Sequence, residues 1–132
     1  MSNQAIEIHD STLESLTCDA GHVVLGFSAA YIHKSDGRPA IGAGTGWVQR
    51  AVLRIHGEIA DGSLTKLPCD LMDGCLTLGG EQSGILIPAP LRFSGDTELV
   101  LTSEFAESVR ICGNQIVLEL VGEPKYVEQY PG

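Results

Sequence analysis

The 132-residue chain is short of basic side chains, with 8 Lys and Arg against 17 Asp and Glu and a formal charge of −9. Repulsion from phosphates argues against a nucleic-acid binder, and no Lys/Arg cluster offers a local exception. The same sign disfavours anionic membrane surfaces, but it is compatible with a neutral ligand or a basic partner protein. Aromatics are also scarce, at 5% with a single Trp. That leaves too few rings for the row of exposed aromatics expected on a carbohydrate-binding face.

Long apolar runs are missing as well. None approaches the ~18 residues of a membrane helix, so no membrane span is expected. The opening "MSNQAIEIHD" has neither the basic nor the apolar region of a secretion signal. A cytoplasmic location follows as an expectation, with Cys18, Cys69, Cys75 and Cys112 reduced. Cys69 and Cys75 are spaced too widely for a zinc-site pair. Cys18 and Cys112 lie in strand-like runs, where a thiol serves as a small apolar side chain.

Catalytic and metal motifs are absent too. His9, His22, His33 and His56 form no HxH or HExxH pattern, so no metal and no cofactor are expected. There is no G-x-S-x-G. The loop "GAGTGW" carries Gly42, Gly44 and Gly46, but it lacks the following helix and the Lys of a phosphate loop. "DLMDG" and "SGDTE" lack the alternating spacing of a calcium loop. A hydrolase would have to use His9 with Asp10, or His56 with a neighbouring carboxylate, and is the least favoured reading.

What the chain does have is a β pattern. In "HVVLGFSAAYIH", period two sets Val23, Leu25, Phe27, Ala29 and Tyr31 on one face. The preceding "CDAG" has turn chemistry, so Leu13–Cys18 and His22–His33 should form a hairpin. "WVQRAVLRIHGEI" alternates Ala51, Leu53, Ile55 and Ile59 against Arg50, Arg54, His56 and Glu58, the pattern of a half-buried antiparallel strand. Glu98 and Glu104 are candidate cross-strand partners for its arginines. Asp73-Gly74 is a hairpin signal, and Gly113-Asn114 should turn the last pair. Pro88 and Pro90 suggest an edge or loop. Ser11 and Glu14 fit a capping box, but a helix there would run under two turns before "CDAG", so the strand reading prevails.

The sequence therefore specifies one all-β domain over residues 1–132: an antiparallel β-barrel or two-sheet sandwich of about eight to ten short strands. The tail Glu123–Gly132 is an edge strand or a frayed end. The core should draw on Leu25, Phe27, Tyr31, Leu53, Ile55, Leu76, Leu78, Leu99, Leu101, Val109, Ile111, Leu118 and Leu120.

Two stretches invite a functional reading. Trp47, Tyr31 and Arg38, with the Lys34–Gly46 loop, are the candidate small-ligand site. "AIEIHDSTLESL" places His9 beside Asp10, a base next to a carboxylate. Neighbours on a strand point to opposite faces, so the pair cannot act together unless a bulge intervenes. Asp10 and Ser11 instead suit the capping of free backbone N–H groups, and His9, Asp10 and Ser11 read as a structural corner.

The opening, carried by Ile6, Ile8, His9, Asp10, Ser11 and Leu13 and followed by "HVVLGF", resembles small bacterial β-domains grouped with the immunity protein 50 family. The resemblance implies an all-β fold and no catalytic residues. The favoured expectation is a non-catalytic, acidic interaction or self-associating module forming a homodimer or binding a partner protein. The alternative is a small-ligand-binding barrel with its site near Trp47.

Overall fold

A computed structural model describes residues 3–35, 43–84 and 86–130. They form one antiparallel sheet of eight strands, with no helix among them. Accordingly, no helix of the described residues is long and apolar enough to cross a membrane. The strands are β1 (Asn3–Asp19), β2 (His22–Ser35), β3 (Gly44–Gly62), β4 (Cys69–Leu78), β5 (Glu81–Gly84), β6 (Leu86–Pro88), β7 (Leu91–Ser103) and β8 (Ser108–Tyr130). Their order is β5-β4-β7-β8-β3-β2-β1-β6, and β1 also pairs β4 through Thr12↔Asp70 and Leu13↔Cys69.

Several strands are much longer than expected: β8 has 23 residues, β3 has 19 and β1 has 17. The reason is that glycines read as turns lie inside strands. Asp73-Gly74 is not a hairpin; β4 runs through it, with Asp73↔Thr102 and Gly74↔Leu101. A Cβ at Gly74 would lie 2.7 Å from Ile8 Cγ2 and 2.9 Å from Val100 O, so this glycine makes room for packing. Gly113-Asn114 is likewise inside β8, where Gly113 pairs with both Gly57 and Thr97. The real turn after β4 is Gly79-Gly80, with φ of 57° and 85°. Positive φ at both centres suits a tight hairpin. "CDAG" does turn, at Ala20 (φ 48°) and Gly21 (φ 81°), with Asp19↔His22 closing the hairpin.

The core lies on one face of the strands. Leu13, Leu25, Leu53, Ile55, Leu76, Leu99, Leu101 and Ile111 are fully buried, each contributing about 1.5–3 kcal/mol by leaving water. Leu78 and Leu120 are only partly buried against it. Tyr31 is buried, as expected, but it is not part of the main apolar cluster, which corrects its placement on the Val23–Phe27 face. A bulge between Phe27 and Ala30 shifts the alternation, so Ala30 and Ile32 turn inward and Tyr31 and His33 turn to the other face.

The basic stripe on β3 pairs within the sheet, though with different acids from those expected. Arg50 meets Glu14 at 3.2 Å and Arg54 meets Glu119 at 4.0 Å, whereas Glu98 takes Arg110. All are exposed pairs, worth at most about 1 kcal/mol each.

Candidate functional site

The sequence corner is a compound bulge. The β1–β2 register slips between Glu7 and Thr12 and again before Ser15. Asp10 sits within it at φ 79°, a conformation that Asp tolerates better than most residues. The capping falls to Ser11 alone. Its buried hydroxyl donates to Glu7 O (2.6 Å) and accepts the Tyr31 N–H (3.0 Å), supplying the bond that the broken ladder cannot. Asp10 turns instead to His9, with 3.4 Å from Nδ1 to Oδ1, both half-exposed.

Ser11→Ala is therefore expected to lower the unfolding free energy by about 1–3 kcal/mol, because a buried N–H loses its acceptor. Asp10→Gly should leave the denaturant midpoint unchanged or raise it, since Gly accepts positive φ without strain. Equal midpoints for Ser11→Ala and the wild type would refute this assignment.

Beyond the bulge, the non-core face of the sheet carries a polar cluster from three strands, in which Tyr31 and His33 are buried, Glu7 and Tyr130 half-buried and Glu128 exposed. Tyr31 and His33 come from β2, Glu7 from β1, and Glu128 and Tyr130 from the last turn of sequence in β8. His33 Nε2 lies 2.9 Å from Glu7 Oε2, while its Nδ1 is buried without a partner among the described residues. The His33 ring stacks on Tyr130 and meets Tyr31 edge-on, each at 5.2 Å between centroids. The Tyr31 hydroxyl donates to Glu128 Oε1 and meets the Tyr130 hydroxyl. Gly46 permits this, because a Cβ there would fall 2.9 Å from Tyr31 Cζ.

Burial pushes the Tyr31 phenol far above its usual range, and the bonds to Glu128 and Tyr130 push it further. Tyr130 is raised too, by burial first; the bond from Tyr31 lowers it in part, and the Glu128 bond and the Glu128 and Glu7 charges raise it. The cluster has the vocabulary of acid–base chemistry, but its two phenols hold their protons more tightly than free tyrosine. It ties the C-terminal part of β8 to β2.

Of the candidate ligand residues, Tyr31 and Trp47 do not converge. In the ladder, Ile32 stands opposite Trp47 and Tyr31 opposite Val48. Trp47 thus packs on the core side and Tyr31 on the other, and Arg38 lies outside the described residues. Trp47 donates from Nε1 to Thr45 Oγ1 (2.8 Å), meets Tyr126 edge-on at 5.4 Å, and carries the Lys34 ammonium 4.5 Å from its ring centroid.

Two open grooves, of about 580 and 330 Å³, share Cys112 and Gly113 of β8 in their linings. The larger is lined in part by Cys18, His22, His56 and Cys112. His22 and His56 pair directly across the ladder, with rings 4.6 Å apart. All four cysteines are free. Burial, and then the Glu104, Asp70 and Glu107 charges, push the Cys69 thiol upward, which makes it a poor nucleophile.

Sequence reasoning missed the Glu7–His33 bond and the part played by Glu128 and Tyr130. The signal was faint: Tyr31/His33 and Glu128/Tyr130 are both i, i+2 pairs, each lining one face of a strand. Comparisons with protein-family models, curated proteins and solved structures returned no match for this chain.

Proposed function

We propose that this chain is a non-catalytic, cytoplasmic β-domain that self-associates through the free edge of β8, its sheet closing through the β1–β4 pair as a six-strand barrel, β4-β7-β8-β3-β2-β1. The observation that carries the reading is an unpaired strand edge. The ladder between β7 and β8 ends at Leu91↔Leu118, while the pairing of β8 with β3 continues to Gly44↔Tyr130. From Glu119 onward, β8 therefore has no strand on its second side among the described residues. Such an edge is a template for another strand.

The edge also presents apolar surface. Tyr126 and Val127 are 56% and 45% exposed, and with Val121 they account for three of the five large apolar side chains exposed among the described residues. An antiparallel pairing that sets Lys125 against Glu128 and Tyr126 against Val127 of a second copy matches charge with charge and apolar with apolar. Gly122 (φ 76°) and Pro124 interrupt the strand just before this stretch, which confines pairing to Lys125–Tyr130. The resemblance of the opening to immunity proteins also favours a binding role. A ligand site at Trp47 has less support, since Lys34 and Tyr126 already occupy its ring.

Sedimentation velocity over a concentration series tests the proposal. A monomer–dimer equilibrium is expected that tightens with added salt, because two chains of charge −9 repel until screened. Val127→Asp should shift it to monomer. A wild-type monomer at every concentration, or an undiminished Val127→Asp dimer, would overturn it.

A further inference from the structure

The β1 bulge brings together side chains that a regular strand would separate. Glu7 and His9, two residues apart, share a face. Asp10 would point away, but its φ of 79° turns it back beside His9. Ligand atoms of Glu7, His9 and Asp10 all lie within 4.8 Å of one another. We propose that this bulge binds one divalent transition-metal ion of the zinc class, held by the His9 imidazole and the Glu7 and Asp10 carboxylates.

The His9–Asp10 spacing already suits the ion, and side-chain rotation would bring Glu7 in from within 4.8 Å. Zinc bonds of 2.0–2.2 Å set tetrahedral ligand atoms about 3.3–3.5 Å apart, and His9 Nδ1 and Asp10 Oδ1 are already at 3.4 Å. Three protein ligands on an open face leave a position for water. One nitrogen and two oxygens favour a borderline ion over Mg²⁺ or Ca²⁺, which take all-oxygen sites.

Two further observations point to a cation rather than to a solvated acidic surface. Among the described residues, neither Glu7 nor Asp10 has a Lys or Arg partner; the side chains beside them are the His33 and His9 imidazoles. Two carboxylates are thus held close together with no fixed positive charge between them. The second observation is His33, which comes from a different strand. Its side chain is 8% exposed, and it points Nε2 at Glu7 while leaving Nδ1 buried and, among the described residues, unpartnered. A buried imidazole that grips a carboxylate in one orientation is the outer-shell arrangement that prepares a metal ligand. The carboxylate keeps lone pairs free for the ion.

The test is titration of tag-free, chelator-treated protein with Zn²⁺ by calorimetry, and with Co²⁺ by visible absorption, which reports nitrogen and oxygen ligation directly. One equivalent per chain is expected to bind and to raise the thermal midpoint. His9→Ala and Asp10→Asn should each weaken binding by at least about tenfold. Both sites are exposed, and circular dichroism verifies that the variants fold. The double variant His22→Ala/His56→Ala removes the competing histidine pair and should bind as the wild type does. Val127→Asp should also bind normally, so the result does not depend on the oligomeric state. No saturable binding by the wild type, binding undiminished in His9→Ala, or binding lost only with His22 and His56 would each overturn the proposal.

Discussion

Gly113→Ala is expected to lower the unfolding free energy by more than about 3 kcal/mol, placing it among the most damaging single substitutions in the chain. A Cβ at Gly113 would lie 2.2 Å from His56 O and 2.7 Å from Ile55 Cγ2. At Gly57, directly opposite in the ladder, it would lie 2.0 Å from Cys112 O and 2.5 Å from Gly113 Cα. These neighbours are mostly backbone, so no rotamer change relieves the overlap, and β3 and β8 must move apart. That pairing is the longest in the fold and carries Leu53, Ile55, Ile111 and Ile116 into the core. Gly80→Ala is the control. Gly80 has φ 85° and no atom within 4 Å of its added Cβ, so only the left-handed backbone cost of roughly 1–2 kcal/mol applies. Guanidinium unfolding of the two variants measures the difference. A Gly113→Ala midpoint equal to that of Gly80→Ala would show that the strands accommodate the methyl group.

Tyr31 carries the second large effect, read against pH. Its folded phenol holds its proton well above the usual range, chiefly through burial and then through the Glu128 and Tyr130 bonds. A group whose folded pKa is raised stabilises the fold fully below its unfolded value. That stability is lost as pH climbs past the unfolded value of about 10. The unfolding free energy should therefore fall as pH rises above about 10, because the unfolded phenol ionises and the folded one does not. Tyr31→Phe removes the hydroxyl and leaves Glu128 without this donor, costing about 1–3 kcal/mol at neutral pH. It should also flatten the alkaline decline. Denaturant midpoints for both proteins across the alkaline range test this. Equal alkaline slopes would mean that Tyr31 does not hold the β8 tail to β2.

These two sites mark where the sequence was readable and where it was not. Strand identity was plain wherever alternation ran unbroken, as in Ala51, Leu53 and Ile55 on β3. The all-β class and the Cys18–Gly21 turn were legible for the same reason. Bulges defeated the period-two reading, because each inserted residue flips every later side chain to the other face. Tyr31 was assigned to the core face for that reason, and Glu7–His33 escaped notice. Asp73-Gly74 and Gly113-Asn114 carried genuine turn chemistry, but their glycines serve close approach of backbone or side chains. Only tertiary packing distinguishes that use from a turn. A regular strand would separate His9 from Asp10, and the β1 bulge, which alternation alone does not reveal, brings them together. The free edge of β8 was invisible in the sequence, since it depends on where β7 ends relative to β8.

The most direct measurement is amide hydrogen exchange across Lys125–Tyr130 at low and high protein concentration. Strand pairing through this edge requires protection of its outward amides that rises with concentration and disappears in Val127→Asp. Exchange that is fast at every concentration, and the same in both proteins, would contradict self-association through β8.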